Sequence, residues 1–295
     1  MSYKETYLNW LNSPALSQAE KAELQAIAGD EKEIESRFFA PLEFGTAGLR
    51  GIMAVGLHNM NSHVIRWATQ AFAAVIKAEG EEACKKGVVV CYDCRLNSER
   101  FAREAAGVMA ANGIRVRIFD ALRPTPELSF AVMHYGATAG INITASHNPR
   151  EYNGYKVYWS DGAQLPPQHA AAVAAEMGKL DIFHDVKLMS FEEATASGLV
   201  EVIGAETDEA FLENVMAMSI NKSVVEKVAD EFKIVYTPFH GAGYKLVPEA
   251  LRRLGVKHLY PEPQQMVIDG NFPTVVSPNP ENPEGFYLAV DLAKE

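Results

Sequence analysis

Three short apolar runs in the first half of the chain restrict its fold more than any other feature. They occupy Val88–Tyr92, residues 114–119 and residues 140–144. Each is too short for a core helix and is bounded by Gly or turn residues, so each reads as a strand buried in a sheet. A helical stretch from its cap at Ser98 to about Ala111, closed by Asn112-Gly113, separates the first two. A second helix, opened by Arg123-Pro124-Thr125-Pro126, separates the second from the third. Strand, helix and strand within about 30 residues form a βαβ unit, whose crossover makes the neighbouring strands parallel. A largely parallel sheet covered by helices is therefore expected here. The pattern starts again after residue 205, with a helix from Thr207, a strand at residues 232–236, a helix at 244–254 and a strand at 256–260.

The third run leads into the stretch with most chemistry in it. Asn148-Pro149 stops the strand, because proline cannot donate to a ladder and pushes the preceding residue out of the helical region. Ser146, His147 and Asn148 then sit on a tight turn at the carboxyl end of a core strand, where open α/β sheets place ligands. Asn153-Gly154 reads as a further turn, entering a strand at residues 155–159 and placing Lys156 where it can swing back towards Ser146. A serine hydroxyl needs a base or an electrophile-stabilising neighbour to act as a nucleophile, and His147 and Lys156 are candidates for those tasks. Residue types alone favour a plain Ser/Asn/Pro turn between two strands, since such turns are common. Earlier in the chain Gly45, Gly48 and Gly51 permit close backbone approach to a ligand, and Arg50 between them offers a fork suited to phosphate or carboxylate.

Together these segments resemble the α-D-phosphohexomutases, the phosphoglucomutase and phosphomannomutase superfamily. The resemblance rests on Thr144-Ala145-Ser146-His147-Asn148-Pro149, the following Asn153-Gly154, and Lys156 ten residues after the serine. FGTAGLRG at residues 44–51, TPFHGAG at 237–243 and FPTVVSPNPENPEG at 272–285 extend it over nearly the whole chain. It implies two consecutive α/β domains, each a mixed, mostly parallel three-layer α/β/α unit. The first would span residues 1–200 with a helical N-terminal extension, and the second residues 201–295, incomplete and ending before the family's metal loop. It also implies that Ser146 carries a phosphoryl group, that an oxygen of this phosphate helps bind Mg²⁺, and that Lys156 acts in acid/base chemistry. His147 would orient the phosphate, Arg50 would face it, and Arg50, Asn148 and Lys156 would contact substrate.

The reaction implied is intramolecular transfer of phosphate between hexose 1-phosphate and hexose 6-phosphate through a phosphoserine and a hexose 1,6-bisphosphate. The spelling of FGTAGLRG and the N-terminal extension look closest to the phosphoglucomutase-2 and phosphopentomutase branch. The remaining ligands of Mg²⁺ and the sugar-recognition loop are not found in residues 1–295. The isolated chain is expected to be inactive, with apolar surface left exposed near Glu295. The alternative is a catalytically inactive sugar-phosphate-binding or interaction fragment. A serine hydrolase built on Ser146 is disfavoured, since no GxSxG elbow is present.

Composition excludes several classes. A net charge of −11 argues against a general nucleic-acid binder, and no apolar stretch approaches the ~20 residues of a membrane span. The N-terminus lacks the apolar core of a signal peptide. Three cysteines, Cys84, Cys91 and Cys94, make an odd count that fits a reduced, cytoplasmic setting. Cys91-Tyr-Asp-Cys94 has no second pair to complete a zinc site and is read as strand-end packing. Arg95 is expected to pair with Asp93, His134 to be structural, and His240 to be at most a neighbour of the site. Oligomeric state is not set by any feature of the sequence.

Overall fold

A computed structural model of the protein describes residues 2–295. Three helices come first, α1 (Tyr3–Asn12), α2 (Gln18–Ala26) and α3 (Glu31–Phe38). Capping boxes start α1 and α2, Ser2 with Glu5 and Ser17 with Glu20, each satisfying two amides at a helix end. Tyr7, Trp10, Leu24 and Phe38 bury these helices in the main core, so the N-terminal extension packs as part of the first domain.

The first sheet has six strands: β1 (Leu49–Ile52), β2 (Val88–Tyr92), β3 (Val116–Phe119), β4 (Ala139–Ile143), β5 (Tyr152–Trp159) and β6 (Val200–Ile203). Their order is β1-β5-β4-β2-β3-β6. Strands β4, β2, β3 and β6 are parallel, and β5 runs antiparallel to both β4 and β1. Helices α4 (Ser62–Ala78), α5 (Glu81–Lys86), α6 (Ser98–Ala111), α7 (Thr125–His134), α8 (Pro167–Met177) and α9 (Phe191–Ala196) connect and cover it. The sheet is thus mixed and mostly parallel, as the sequence predicts.

Strand alternation sorts the two faces. Leu49, Val88, Val90, Val116, Ile118, Ile141, Ile143, Tyr155 and Val157 belong to one large core with residues of α4, α6 and α8. Val89, Cys91 and Tyr158 point the other way and form a smaller core with Leu128, Ala131 and Val132 of α7. This second face is apolar only over part of its length. In register, Cys91 sits opposite Asn142, Asn142 opposite Lys156, and Arg50 opposite Gly154. Towards the carboxyl end of β4 the face therefore turns polar, which opens room for a site.

One sequence expectation needs correcting. Asn153-Gly154 is not a turn: β5 begins at Tyr152, and both residues lie inside it. The chain has already reversed at residues 146–151. Asn153 is fully buried and donates to the Leu96 carbonyl and to Ser98 Oγ, at 3.1 and 3.0 Å. Gly154 is required by crowding, since a Cβ there would lie 2.5 Å from the Thr144 carbonyl oxygen and 3.0 Å from that of Leu49. The glycine-rich stretch at residues 44–51 divides into a turn and the start of a strand. Gly45 and Gly48 close a tight turn, and Leu49 and Arg50 then enter β1. Gly48 has φ +77 and approaches so close to the Tyr155 carbonyl that no side chain fits.

The second domain contains α10 (Ala205–Ala217), α11 (Lys222–Val228), α12 (Leu246–Arg253) and α13 (Tyr287–Lys294) around two parallel strands, β7 (Lys233–Tyr236) and β8 (His258–Pro261). It is tied to the first through Arg123, whose guanidinium donates to both Asp208 carboxylate oxygens at 2.6 and 3.0 Å. Lys245 reaches the same carboxylate at 2.6 Å. No helix among the described residues is long and apolar enough to cross a membrane.

Candidate active site around Ser146

Past the end of β4 the chain enters the turn with Ser146 in the left-handed region, φ +57. A residue with a side chain resists that conformation by about 1–2 kcal/mol, so neighbours must hold it. The Ser146 amide donates to Thr144 Oγ1 at 3.0 Å, and the Thr144 hydroxyl donates to Asp93 Oδ2 at 2.5 Å. The other Asp93 oxygen accepts the Ser98 hydroxyl at 2.8 Å and the Arg95 amide at 2.9 Å. Burial pushes the Asp93 carboxyl up, against the opposing pull of Arg95 and Thr144.

Arg95 does more than pair with Asp93. The expected ion pair is present, with Nε 3.4 Å from Oδ2. The rest of its fully buried guanidinium donates to four carbonyl oxygens of the turn. Nη2 reaches Ser146 and Asn148 at 2.9 and 2.6 Å, and Nη1 reaches Pro149 and Tyr152 at 2.9 and 3.0 Å. The turn is wrapped around one cation.

The residues expected from sequence fall as follows. Ser146 is exposed, with Oγ 3.3 Å from His147 Nδ1, and His147 is exposed as well. Arg50 Nη1 donates to Asn148 Oδ1 at 3.2 Å, joining the glycine-rich stretch to the serine turn across 98 residues of sequence. Lys156 is half-buried on the same sheet face. Burial lowers its ammonium most, Arg50 and Arg95 lower it further, and Asp93 opposes them. Among the described residues the Lys156 ammonium has no hydrogen-bonded or ion-paired partner.

The second domain also touches the turn, which no sequence motif foretells. Ser277 Oγ donates to the His147 carbonyl at 2.9 Å. The Phe272 ring lies 5.3 Å from the Arg95 guanidinium carbon, and Gly270 packs so tightly against residues 94–96 that a Cβ would lie 2.6 Å from the Cys94 carbonyl oxygen. A cavity of about 270 Å³ behind Ser146 is lined by Thr125, Asn142 and Thr144 from one domain and Phe239, Gly241 and Phe272 from the other. A larger cavity, about 690 Å³, lies under the N-terminal helices among Glu20, His63, Arg66 and Glu104, and none of the expected site residues lines it. His240 is 1% exposed, with Nδ1 donating to the Val267 carbonyl at 2.7 Å and Nε2 accepting from Thr274 Oγ1 at 2.8 Å. Both ring nitrogens are engaged within the second domain, so His240 pins its loops.

The surroundings do not form a hard-cation cage. Both Asp93 oxygens are taken, and Arg50, Arg95 and Lys156 add positive charge around them. No group of three or more potential metal-ligating side chains occurs among the described residues. Mg²⁺ needs about six oxygen ligands in octahedral array, so these residues alone do not fit it.

Comparison with known proteins bears on this arrangement. Residues 41–182 match the family model described as "Phosphoglucomutase/phosphomannomutase, alpha/beta/alpha domain I", and residues 209–295 match domain II of the same family. A phosphopentomutase of Mus musculus is 34% identical over 292 residues, covering 95% of this chain and 45% of the relative. A phosphoglucomutase of Staphylococcus saprophyticus is 34% identical over 264 residues, covering 89% of this chain and 46% of the relative. The crystal structure of a Thermus thermophilus protein assigned as a phosphomannomutase superposes with a TM-score of 0.66 at 25% identity, covering 86% of this chain and 52% of that one. The chain thus spans about half the length of the curated relatives it matches.

Proposed function

The chain belongs to the phosphoglucomutase/phosphomannomutase family, and on that premise we propose that it carries the phosphoserine of a phosphosugar mutase, with Ser146 as the phosphoryl carrier. The observation that carries the reading is the presentation of Ser146: an exposed hydroxyl on a backbone held left-handed from beneath by Thr144, Asp93 and Arg95. Phosphoryl transfer depends mainly on positioning and on stabilising charge, and a rigid turn flanked by cations supplies both.

In the proposed reaction a sugar hydroxyl attacks the phosphorus on phospho-Ser146. Its proton passes to the neutral amine of Lys156 while the bond from phosphorus to Ser146 Oγ breaks, and the Lys156 ammonium then gives a proton to the departing Oγ, which restores the serine hydroxyl and the neutral amine. Lys156 is suited to this because burial and two arginines lower its affinity for the proton. Arg50, anchored on Asn148, faces the developing charge, and His147 beside Oγ orients the phosphate. The sugar bisphosphate then reorients, and Ser146 takes back the other phosphate. Mg²⁺ would supply charge neutralisation there, with a phosphate oxygen on Ser146 as the ligand that the described residues would contribute.

Hexose 1- and 6-phosphates, with hexose 1,6-bisphosphate as intermediate, are the proposed substrates. The phosphopentomutase name of one relative makes pentose phosphates the second class to test. A cytoplasmic location is proposed with them, on the three free thiols. A hydrolase reading gains nothing here, because His147 has no carboxylate partner among the described residues to complete a triad.

Mass mapping of the protein from its natural source tests the proposal. Phosphate on Ser146, removed by hexose monophosphate and restored by hexose 1,6-bisphosphate, is the expected result. A Ser146 that stays unmodified under both conditions would overturn it and favour a sugar-phosphate-binding fragment.

A further inference from the structure

Two polar groups near the site lack partners, and they face each other across adjacent strands. Asn142 on β4 is in register with Lys156 on β5. Directly opposed residues of an antiparallel pair project to the same face, with Cβ atoms about 5 Å apart. Asn142 is 1% exposed. Its Nδ2 donates to Thr125 Oγ1 at 2.8 Å, which fixes the amide plane, and its Oδ1 is buried with no donor. A buried carbonyl oxygen without a donor is unusual enough to ask what fills it. The other cations of the neighbourhood are committed. Arg95 holds four carbonyls and Asp93, Arg123 holds Asp208 and Asp120, and Arg50 stands on β1, one strand beyond β5, with Asn148.

We propose that Asn142 Oδ1 is the resting acceptor of the Lys156 ammonium, and that Asn142 is a positioning residue for that lysine. The side chain needs only a rotamer change to make the contact, because the four-carbon stem starts on the adjacent strand and on the same face. Docking gives the ammonium a neutral acceptor in a setting where Arg50 and Arg95 repel it and Asp93, already bonded to Thr144, Ser98 and Arg95, offers only partial compensation. The groups facing Lys156 are thus Arg50 from β1, Asp93 and Arg95 from the loop after β2, and Asn142 from β4, with Cys91 of β2 beyond Asn142 in the same row. The docked position also sets where the amine waits relative to the Ser146 turn, two residues beyond Thr144. Its catalytic consequence rests on the acid/base reading of Lys156 above, but the contact itself does not.

The test is competitive amine labelling of Lys156 with a trace acylating reagent across pH, read by peptide mass, in the wild type and in Asn142→Leu and Asn142→Asp. A hydrogen bond that favours the charged form holds the proton on, so losing the acceptor in Asn142→Leu moves the labelling midpoint down by about one pH unit. Asn142→Asp, isosteric and anionic, moves it up. Labelling of the remote Lys77 serves as the internal reference and stays constant. An unchanged Lys156 midpoint in Asn142→Asp, with Lys77 labelled as in the wild type, would overturn the proposal whether or not the leucine variant folds. Because no turnover is read, a failed phosphoserine assignment leaves this result intact, and a failed Asn142 contact leaves that assignment intact.

Discussion

The Arg95 guanidinium donates to the Ser146 carbonyl oxygen at 2.9 Å. A buried cation from the loop after β2 thereby holds the backbone of the residue whose hydroxyl is left free for chemistry. The same guanidinium spans three further carbonyls and lies under the Phe272 ring of the second domain. One side chain connects two sheet strands, the serine turn and the domain boundary.

Arg95→Lys should therefore lose stability and loosen the turn together. An ammonium has three donors on one atom and cannot reach four carbonyls spread along residues 146–152. Leaving even one of these buried carbonyls without a donor costs about 1–3 kcal/mol. Urea unfolding measures the loss, and a change below the error of the extrapolation would contradict the clamp.

Ser277→Ala removes one hydrogen bond to the turn, worth about 1 kcal/mol. Amide exchange should accelerate at Ser146, His147, Asn148 and Arg150 while the β2 and β4 amides keep their protection. Equal exchange in both proteins would show that the second domain does not restrain the turn.

Gly154→Ala places a methyl group between the Thr144 and Leu49 carbonyls. Overpacking typically costs about 1–3 kcal/mol, and backbone on both sides puts this site at the upper end. A melting temperature equal to the wild type would refute the crowding argument.

Glu127 is fully buried beside Arg123 and Asp208. Burial, and then the neighbouring Asp208 carboxyl, push it up to about 8. A carboxyl raised in the folded state binds a proton that the unfolded chain releases near 4.5. Its contribution is complete below that value and is lost as pH rises towards 8. Asp208 moves the opposite way, so its effect lies in the acid range and not in this window. Stability should fall from about pH 5 to pH 8, and Glu127→Gln should flatten the slope. Parallel pH curves for the two proteins would remove Glu127 as the cause.

Lys156→Met, made in the protein as isolated from its source, should lower kcat by roughly 10²–10⁴ with little change in substrate binding. Ser146→Ala should abolish both turnover and labelling by sugar bisphosphate. Normal turnover in either variant would withdraw its assigned role.

Strands β2, β3 and β4 of the first sheet, most of its helices and the Ser146 turn were legible because each follows from local chemistry. Apolar runs, caps and an Asn-Pro stop act within a few residues. The pairing of Arg95 with Asp93 was legible for the same reason, since the two lie two residues apart. The four carbonyls that Arg95 also holds lie more than 50 positions further along the chain, beyond the reach of any local pattern.

Asn153-Gly154 shows the limit most clearly. By itself the dipeptide favours a reversal, but the Thr144 and Leu49 backbones close on Gly154 from two sides, and the missing Cβ is used there for close approach. The facing of Asn142 and Lys156, the contact of Ser277 with the turn and the burial of Glu127 have the same origin. Sequence determined which segments are strands and which residue types could do chemistry, because those properties belong to a residue and its immediate neighbours. Register and domain packing decided which of those groups meet and which are left unpartnered, because both are set by contacts between segments distant in the chain.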